Sequence, residues 1–529
     1  MIPPILRRLL TTPLGIILVV LSTLSLISMI ALHGPTRDKL VLSLPDSWLL
    51  FESNLLDAPL PMAYDAYFPD KQLPRSLRRR ELAPLTDRLV KFLHRPALNY
   101  DEAVGANHAA CPLHVLAQLT SPQQLEDHRG FWNAIDSNQI AHRRAELVSF
   151  LAKNAKTGRK VLGTTIKGPI TRGIVLTAGN GDTVLRVVML LKHLKRIGNT
   201  LPVEVVHFPD ELNDRKYRRQ LQDLGAKLIK VRGVVKTPGM WKNYQIKAMA
   251  MIQTSFTEMV YLDSDNVPLR TLEHLFDAPL YVENGRAAFW PDIKKDHADN
   301  AIWRIVGDTC TLKEWTFESG QIVFDKRGND GNNLAALWIA AAMLDKNDFW
   351  YGLCGGDKDT YRWAFRMLDI PYAPAPRWVS ALGIQNEFDN NKFCGQYVFP
   401  STLANESTML QYDLVTPEGA DRPQALFVHA NLLKHLDGRL ERGKVFSYVK
   451  HMALDAYDEE TLNHVFFYVY HGKERGMCTD MFLHDEAASL MDADKLAVQR
   501  PVVVSAKDVP ELEGFEDAWW EAGGRVGGW

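Results

Sequence analysis

The residues best equipped for chemistry lie in Tyr261-Leu262-Asp263-Ser264-Asp265-Asn266, where an apolar run ends in two carboxylates one residue apart. Hard carboxylate oxygens hold Mg2+ or Mn2+, and such a cation bridges diphosphate oxygens and acts as a Lewis acid when that group departs. The pair has an ordinary reading too, since Asp263 could cap a following helix. A later apolar run, Leu426-Phe427-Val428-His429, ends in an imidazole that could complete a metal site with Asp263 and Asp265. A histidine at a strand end is more often a satisfied structural residue. Lys247, on a helical stretch before the two carboxylates, could ground a diphosphate as a point charge or simply be solvated.

Several other positions carry polar groups beside apolar runs. Thr177, Ala178, Gly179 and Asn180 close one run with small residues, which let a nucleotide base and ribose approach the backbone. They equally suit a tight turn, and no G-x-G-x-x-G pattern follows. Phe317-Glu318-Ser319-Gly320 reads as a loop running into a strand, and Gly355-Gly356-Asp357-Lys358-Asp359 opens a helix. Glu318, Asp357 and Asp359 are thus candidates for sugar or acceptor contacts, with a helix N-cap as the alternative for Asp357. Trp290-Pro291-Asp292 sets an indole beside a carboxylate. Sugars stack their C–H faces on aromatic rings, but the same pair suits a core.

These residues need elements to position them. Gly173–Gly179, Pro202–Phe208, Lys227–Val231 and Glu258–Asp263 are short β-branched runs separated by helical patterns, among them Thr183–Gly198 and a polar helix ending at Gly225. Strands alternating with helices predict an α/β fold with a mostly parallel sheet and crossover helices. Ligands in such sheets bind at the carboxyl ends of the strands. That places the Thr177–Asn180 loop and the Asp263–Asp265 turn in one crevice.

The flanks differ from this middle. Residues 14–32 carry no charge and are long enough to cross a bilayer, with Arg7 and Arg8 before them. The expectation is a cytoplasmic tail (1–13), a single anchor (14–32), a solvated stem (33–85), a helical cap region (86–165), a catalytic domain (166–445) and an extension of open role (446–529). The rival, a cleaved signal peptide, has a shorter apolar region and a small-residue cleavage site. With 61 basic and 63 acidic side chains the net charge is −2, which argues against a nucleic-acid partner. The five cysteines include no C-x-x-C pair, and their pairing stays open. Asn405-Glu406-Ser407 is an N-glycosylation sequon that fits a lumenal surface.

Taken in order, GIVLTAGNGD, LPVEVVHF, MVYLDSDNVPLR, AAFWPD, ESGQIVFDK, GGDKDTY and FVHANLLK resemble the fungal α-mannosyltransferases of glycosyltransferase family 71, the outer-chain mannan-branching type. The resemblance covers roughly residues 170 to 440. It implies a GT-A type, Rossmann-like nucleotide-sugar fold, GDP-mannose as donor, Mn2+ (or Mg2+) as cofactor, a mannoside acceptor glycan and a Golgi membrane location. Asp263 and Asp265 would be its metal and diphosphate motif and His429 its late metal ligand. A similarity to retaining enzymes of the glycogenin type places Lys247 on the phosphates, with Glu318 and Asp357 near the transferred sugar. The expected activity is transfer of mannose with retention, α-1,2 or α-1,3. The alternative is a non-catalytic subunit of a Golgi mannan-synthesising complex. A nucleotide-sugar pyrophosphorylase is disfavoured, because it would carry a glycine-rich basic loop after its first strand and no anchor.

Overall fold

The structure is a computed structural model. It describes residues 59–113, 122–179, 181–234, 243–354, 356–383, 407–430, 442–443, 445–452, 465–471, 477–483 and 501–524. The chain divides into two compact units, Met1–Asp57 and Ala58–Trp529. The expected anchor at 14–32 lies outside the described residues, and among those described no helix is long and apolar enough to cross a membrane.

The second unit is built on a seven-stranded sheet. Its strands are β1 (Arg172–Thr177), β2 (Val203–His207), β3 (Ala226–Lys230), β4 (Glu258–Leu262), β6 (Ala287–Pro291), β7 (Phe317–Asp325) and β8 (Ala373–Pro374), in the order β3-β2-β1-β4-β7-β6-β8. The first four run parallel. β7 is antiparallel to both β4 and β6, so the sheet is mixed. β2, β4 and β7 are buried at every position, on both faces, so their residues do not alternate between core and solvent.

Helices cover this sheet in the way their apolar spacing requires. We label α1 (Ala83–His94), α2 (Tyr100–Ala110), α3 (Ser137–Lys156), α4 (Gly181–Arg196), α5 (Arg215–Asp223), α6 (Gln245–Gln253), α7 (Asn332–Asp345), α8 (Lys358–Leu368) and α9 (Phe515–Ala522). In α4, Val184, Val187, Val188, Leu191 and Leu194 form one buried stripe. In α7 every residue from Asn332 to Leu344 is buried, the mark of a central helix with neighbours all round. It packs against α3, α6 and α8. α3 begins in a reciprocal capping box: Gln139 N donates to Asp136 Oδ1 (2.7 Å) and Asp136 N to Gln139 Oε1 (2.9 Å).

One expectation changes here, and the role left open for the C-terminal extension gains a structural answer. Of the stretch read as a solvated stem (33–85), residues 59–85 are anchored: Leu60, Tyr64, Phe68, Leu73, Leu77, Leu82 and Leu85 are buried in the main core, while the polar residues between them stay exposed or half-buried. The alternation of Pro and charge hid a strap whose apolar residues are spaced irregularly, without a helical or strand period. The C-terminal stretch, in turn, completes a second sheet. β5 (Asn266–Pro268), β9 (Ser380–Gly383), β10 (Ser407–Tyr412), β11 (Ala425–His429), β12 (Tyr448–Met452) and β15 (Pro501–Ser505) form it in the order β15-β12-β9-β10-β11-β5. β13 (Val465–His471) and β14 (Met477–Leu483) make a separate antiparallel pair. α9 returns to pack on α4. A disulfide joins Cys111, at the end of α2, to Cys310, and Cys354 is a free buried thiol.

Candidate active site

β4 delivers Asp263 to the carboxyl edge of the first sheet, where its N–H donates to the Gly320 carbonyl of neighbouring β7 at 2.8 Å. Three residues on, the chain has already entered β5, an edge strand of the second sheet. β5 pairs antiparallel with β11, and the register sets Asn266 opposite His429. The Ala430 N–H then reaches the Asp265 carbonyl at 2.8 Å. This crossing between sheets carries His429 from far along the chain to the two carboxylates. One ligand atom from each of Asp263, Asp265 and His429 falls within 4.8 Å of the others.

The donor set fits a divalent cation of the Mg2+ or Mn2+ kind: two hard carboxylates and one imidazole. His429 Nε2 faces Asp265 Oδ1 at 3.5 Å, while Nδ1 lies 3.2 Å from Glu318 Oε1. That second contact is close enough for an ion pair, yet its angle leaves Nδ1 without a hydrogen bond. A carboxylate behind the far ring nitrogen is the arrangement that orients metal-ligating histidines. Burial opposes a charge on His429, but Glu318 and Asp265 outweigh it and push its pKa up to about 10. Burial likewise opposes charge on Glu318, yet His429 and the Gly320 N–H (2.9 Å) hold it down to about 2. Burial raises the pKa of Asp263, Lys247 lowers it, and the nearby Asp265 and Asp357 raise it further. Four carboxylates crowd this corner, so added positive charge is stabilising there.

Lys247 reaches the metal turn, as expected of a group beside Asp263, but it is already engaged there by the protein. Its ammonium is buried on α6 and gives itself to protein groups: Asp263 Oδ2 (3.0 Å), Asp357 Oδ2 (2.8 Å), Ser319 Oγ (3.0 Å) and the Ser319 carbonyl (3.1 Å). It lies under the site as a clamp joining the β4 turn, β7 and the start of α8. Asp357 occupies the N-cap position of α8 but makes no side-chain cap, because its carboxylate takes Lys247 and the Ser319 hydroxyl (3.2 Å) instead. Glu318 lies within strand β7 rather than in a loop before it.

The remaining candidates scatter. Thr177 shares a hydrogen bond with the Tyr261 hydroxyl (3.0 Å), which itself donates to Asp263 Oδ1 (2.9 Å). The first strand and the metal turn therefore do share one crevice. Ala178 is buried, and its N–H continues the ladder to Val206. A Cβ on Gly179 would meet the Glu211 carboxylate at 1.6 Å, so the space there is taken by a side chain of the protein. Asn180 lies outside the described residues. Trp290 is a core residue: wholly buried, edge-on to Phe427, with its indole N–H on the Tyr412 carbonyl (2.7 Å). No face of it is open to a sugar. Asp359 is also structural, accepting from the Phe317 N–H (3.0 Å) and Arg362 (3.1 Å). Asp292 stays near Glu318, paired with Lys358.

Sequence reasoning passed over three supports. A Cβ on Gly320 would sit 2.6 Å from His429 Cε1 and 2.9 Å from Asn266 Nδ2, so only glycine lets β7 approach the ligand. The glycine after Glu318-Ser319 was the available signal. Asn266 donates to Gln321 beside it. Ser264, between the two aspartates, accepts from Arg186 Nε of α4 (3.1 Å) and so has a tethering partner that the reading from sequence did not give it.

Comparison with known proteins agrees with the motifs. Residues 171–314 match the family described as "Mannosyltransferase putative". Alpha-1,2-mannosyltransferase MNN2 of Saccharomyces cerevisiae is 30% identical over 174 residues, 32% of this chain and 29% of that protein. Alpha-1,2-mannosyltransferase MNN22 of Candida albicans is 26% identical over 306 residues, 48% of this chain and 49% of that protein. Alpha-1,2-mannosyltransferase MNN5 of Saccharomyces cerevisiae is 25% identical over 263 residues, 38% and 44% respectively. Each match spans less than half of the relative's own length. The resemblance to fungal mannosyltransferases is borne out over this region. Among solved structures, the mannosyltransferase Ktr4p from Saccharomyces cerevisiae covers 50% of this chain and 82% of that chain at 8% identity, with a TM-score of 0.27, too loose to place any residue.

Proposed function

We propose that this chain, a relative of the fungal mannosyltransferases across its first sheet, transfers mannose from GDP-mannose to a mannoside on a protein-linked glycan. The observation that carries the reading is the convergence of Asp263, Asp265 and His429 at the edge of a mixed α/β sheet, with ligand atoms within 4.8 Å. Four parallel strands ending in that turn suit a GT-A type nucleotide-sugar domain. A bound Mn2+ or Mg2+ would supply the Lewis acid that lowers the cost of GDP departure.

The chain's own groups do the rest. Asp263, Asp265 and His429 would hold the cation, with Glu318 beside the other ring nitrogen of His429. Lys247 fixes Asp263 and Asp357 in place and keeps their mutual repulsion from opening the site. Thr177 and the loop after it, including Asn180, border the nucleotide. Glu318 and Asp357 are the carboxylates that would stabilise an oxocarbenium-like centre or attack it. Donor and product are both α in this reading, so configuration is retained, and the relatives' names favour an α-1,2 linkage. The Cys111–Cys310 disulfide supports an oxidising compartment, in keeping with a Golgi lumenal domain behind a type II anchor at 14–32.

The test uses the full chain in detergent with GDP-mannose, Mn2+ and an α-mannoside, and reads GDP release and product linkage. Release that disappears with EDTA and in Asp263→Ala or Asp265→Ala is the expected result. Folded protein that binds GDP but never releases it from the donor would make the chain a non-catalytic subunit instead.

A further inference from the structure

Strands β4, β7 and β6 are neighbours, and each carries a carboxylate at the same sheet edge, since β7 runs antiparallel to the other two. Asp263 follows β4, Glu318 lies in β7, and Asp292 follows β6. Glu318 stands in register with Trp290, two residues before Asp292. Neighbouring strands are about 4.8 Å apart, so the β6 end lies roughly 10 Å from the metal turn, with Glu318 between them.

The β6 end is a built corner. The Asp292 backbone is held on both sides, its N–H by the Thr316 carbonyl (2.7 Å) and its carbonyl by the Trp378 indole (3.0 Å). Asp292 Oδ2 accepts from Lys358 Nζ at 2.5 Å. Oδ1 has no hydrogen-bond partner, although Asp292 is only 7% exposed. A purely structural ion pair satisfies both oxygens, because an unpaired buried acceptor is costly. Lys358 opens α8, where the helix dipole disfavours a cation, and its side chain is still 27% exposed. A partly exposed donor beside a buried, unpaired acceptor matches the vicinal hydroxyls of a hexose, which both give and accept hydrogen bonds.

We propose that Asp292 and Lys358 form the subsite that binds the hydroxyls of the transferred sugar, across Glu318 from the diphosphate end. This rests on the nucleotide-sugar reading above. It makes the pair a determinant of which sugar is transferred, and Asp292 a contact to the donor rather than to the acceptor.

Titration calorimetry on the full chain with Mn2+ compares GDP, GDP-mannose and GDP-glucose. Wild type should bind GDP-mannose more tightly than GDP. Asp292→Asn, which keeps the shape, and Lys358→Met should each leave GDP affinity unchanged. They should weaken GDP-mannose at least about tenfold, the worth of one hydrogen bond to a charged group, and narrow the preference over GDP-glucose. Parallel losses for GDP and GDP-mannose, or no loss for either, would overturn the subsite and leave the pair a structural bridge. A rise only in the KM for the α-mannoside would move it to the acceptor and overturn the assignment as well. Failure of wild type to bind either GDP compound is read before any variant and removes the underlying function itself.

Discussion

Lys247 shows how one buried side chain decides the geometry of the site. Removing its charge leaves Asp263 and Asp357 facing each other without a counter-ion, and breaking a buried pair costs about 3–5 kcal/mol. Lys247→Met should therefore lower thermal stability by about that amount and reduce kcat/KM even at saturating Mn2+. A variant that melts and turns over like wild type would show that the ammonium is not what holds the two carboxylates. Gly320 makes the complementary case. A methyl there would press on His429 at 2.6 Å and on Asn266 at 2.9 Å, so Gly320→Ala should weaken Mn2+ binding more than it weakens the fold. Calorimetric Mn2+ affinity read beside a melting curve separates the two, and an unchanged affinity would mean that the strands shift apart freely.

At the scale of elements, the helical segments before the sheet are tied to it by buried polar staples rather than by apolar contact alone. Asp299 is the clearest. Its carboxylate takes His108 of α2 (2.6 Å) and Arg129 (2.8 Å). Burial raises the Asp299 pKa, but His108, His297 and Arg129 together outweigh it and hold the group below the usual carboxylate range. With a depressed folded pKa, its stabilisation is present above the unfolded value of about 4. It is lost as the pH falls through the folded value. Asp299→Asn should flatten the acid limb of the stability curve, measured by thermal unfolding from neutral pH downward. An unchanged acid limb would show that other carboxylates set it. The nearby disulfide closes a loop of 199 residues, for which chain entropy gives about 5 kcal/mol. The paired Cys111→Ser and Cys310→Ser variant should melt well below wild type, while reduction that leaves the melting temperature in place would remove the bridge from the stability argument.

For the whole molecule, the catalytic unit begins before the point that composition indicates. Leu60, Tyr64, Phe68, Leu73, Leu77 and Leu82 are buried. At about 1.5–3 kcal/mol for each buried large apolar side chain, their removal takes away an amount comparable to the entire stability of an ordinary domain, about 5–15 kcal/mol. A fragment covering 86–529 should be insoluble or molten, whereas 58–529 should fold. Limited proteolysis and near-UV circular dichroism of the two would decide it, and a cooperative melt from the shorter fragment would show that the strap is dispensable. The far end of the chain behaves similarly, since β12 and β15 complete the sheet that carries His429.

The parallel strands, their crossover helices and the crevice shared by Thr177 and Asp263 were legible in the sequence, because periodicity and β-branched runs report local structure directly. The Asp263–Asp265 pair was legible for the same reason: its chemistry lies within a few neighbouring residues. Only the tertiary structure decided the rest. His429 joins that pair through a register between β5 and β11, and Lys247 turns inward because two carboxylates from other elements meet above it. Trp290 closes into the core once β11 packs across it, and the apolar residues of 59–85 are buried against later helices such as α3, where the Ser76 hydroxyl also donates to the Ala152 carbonyl. Each of these depends on contacts between distant segments, which no local pattern encodes.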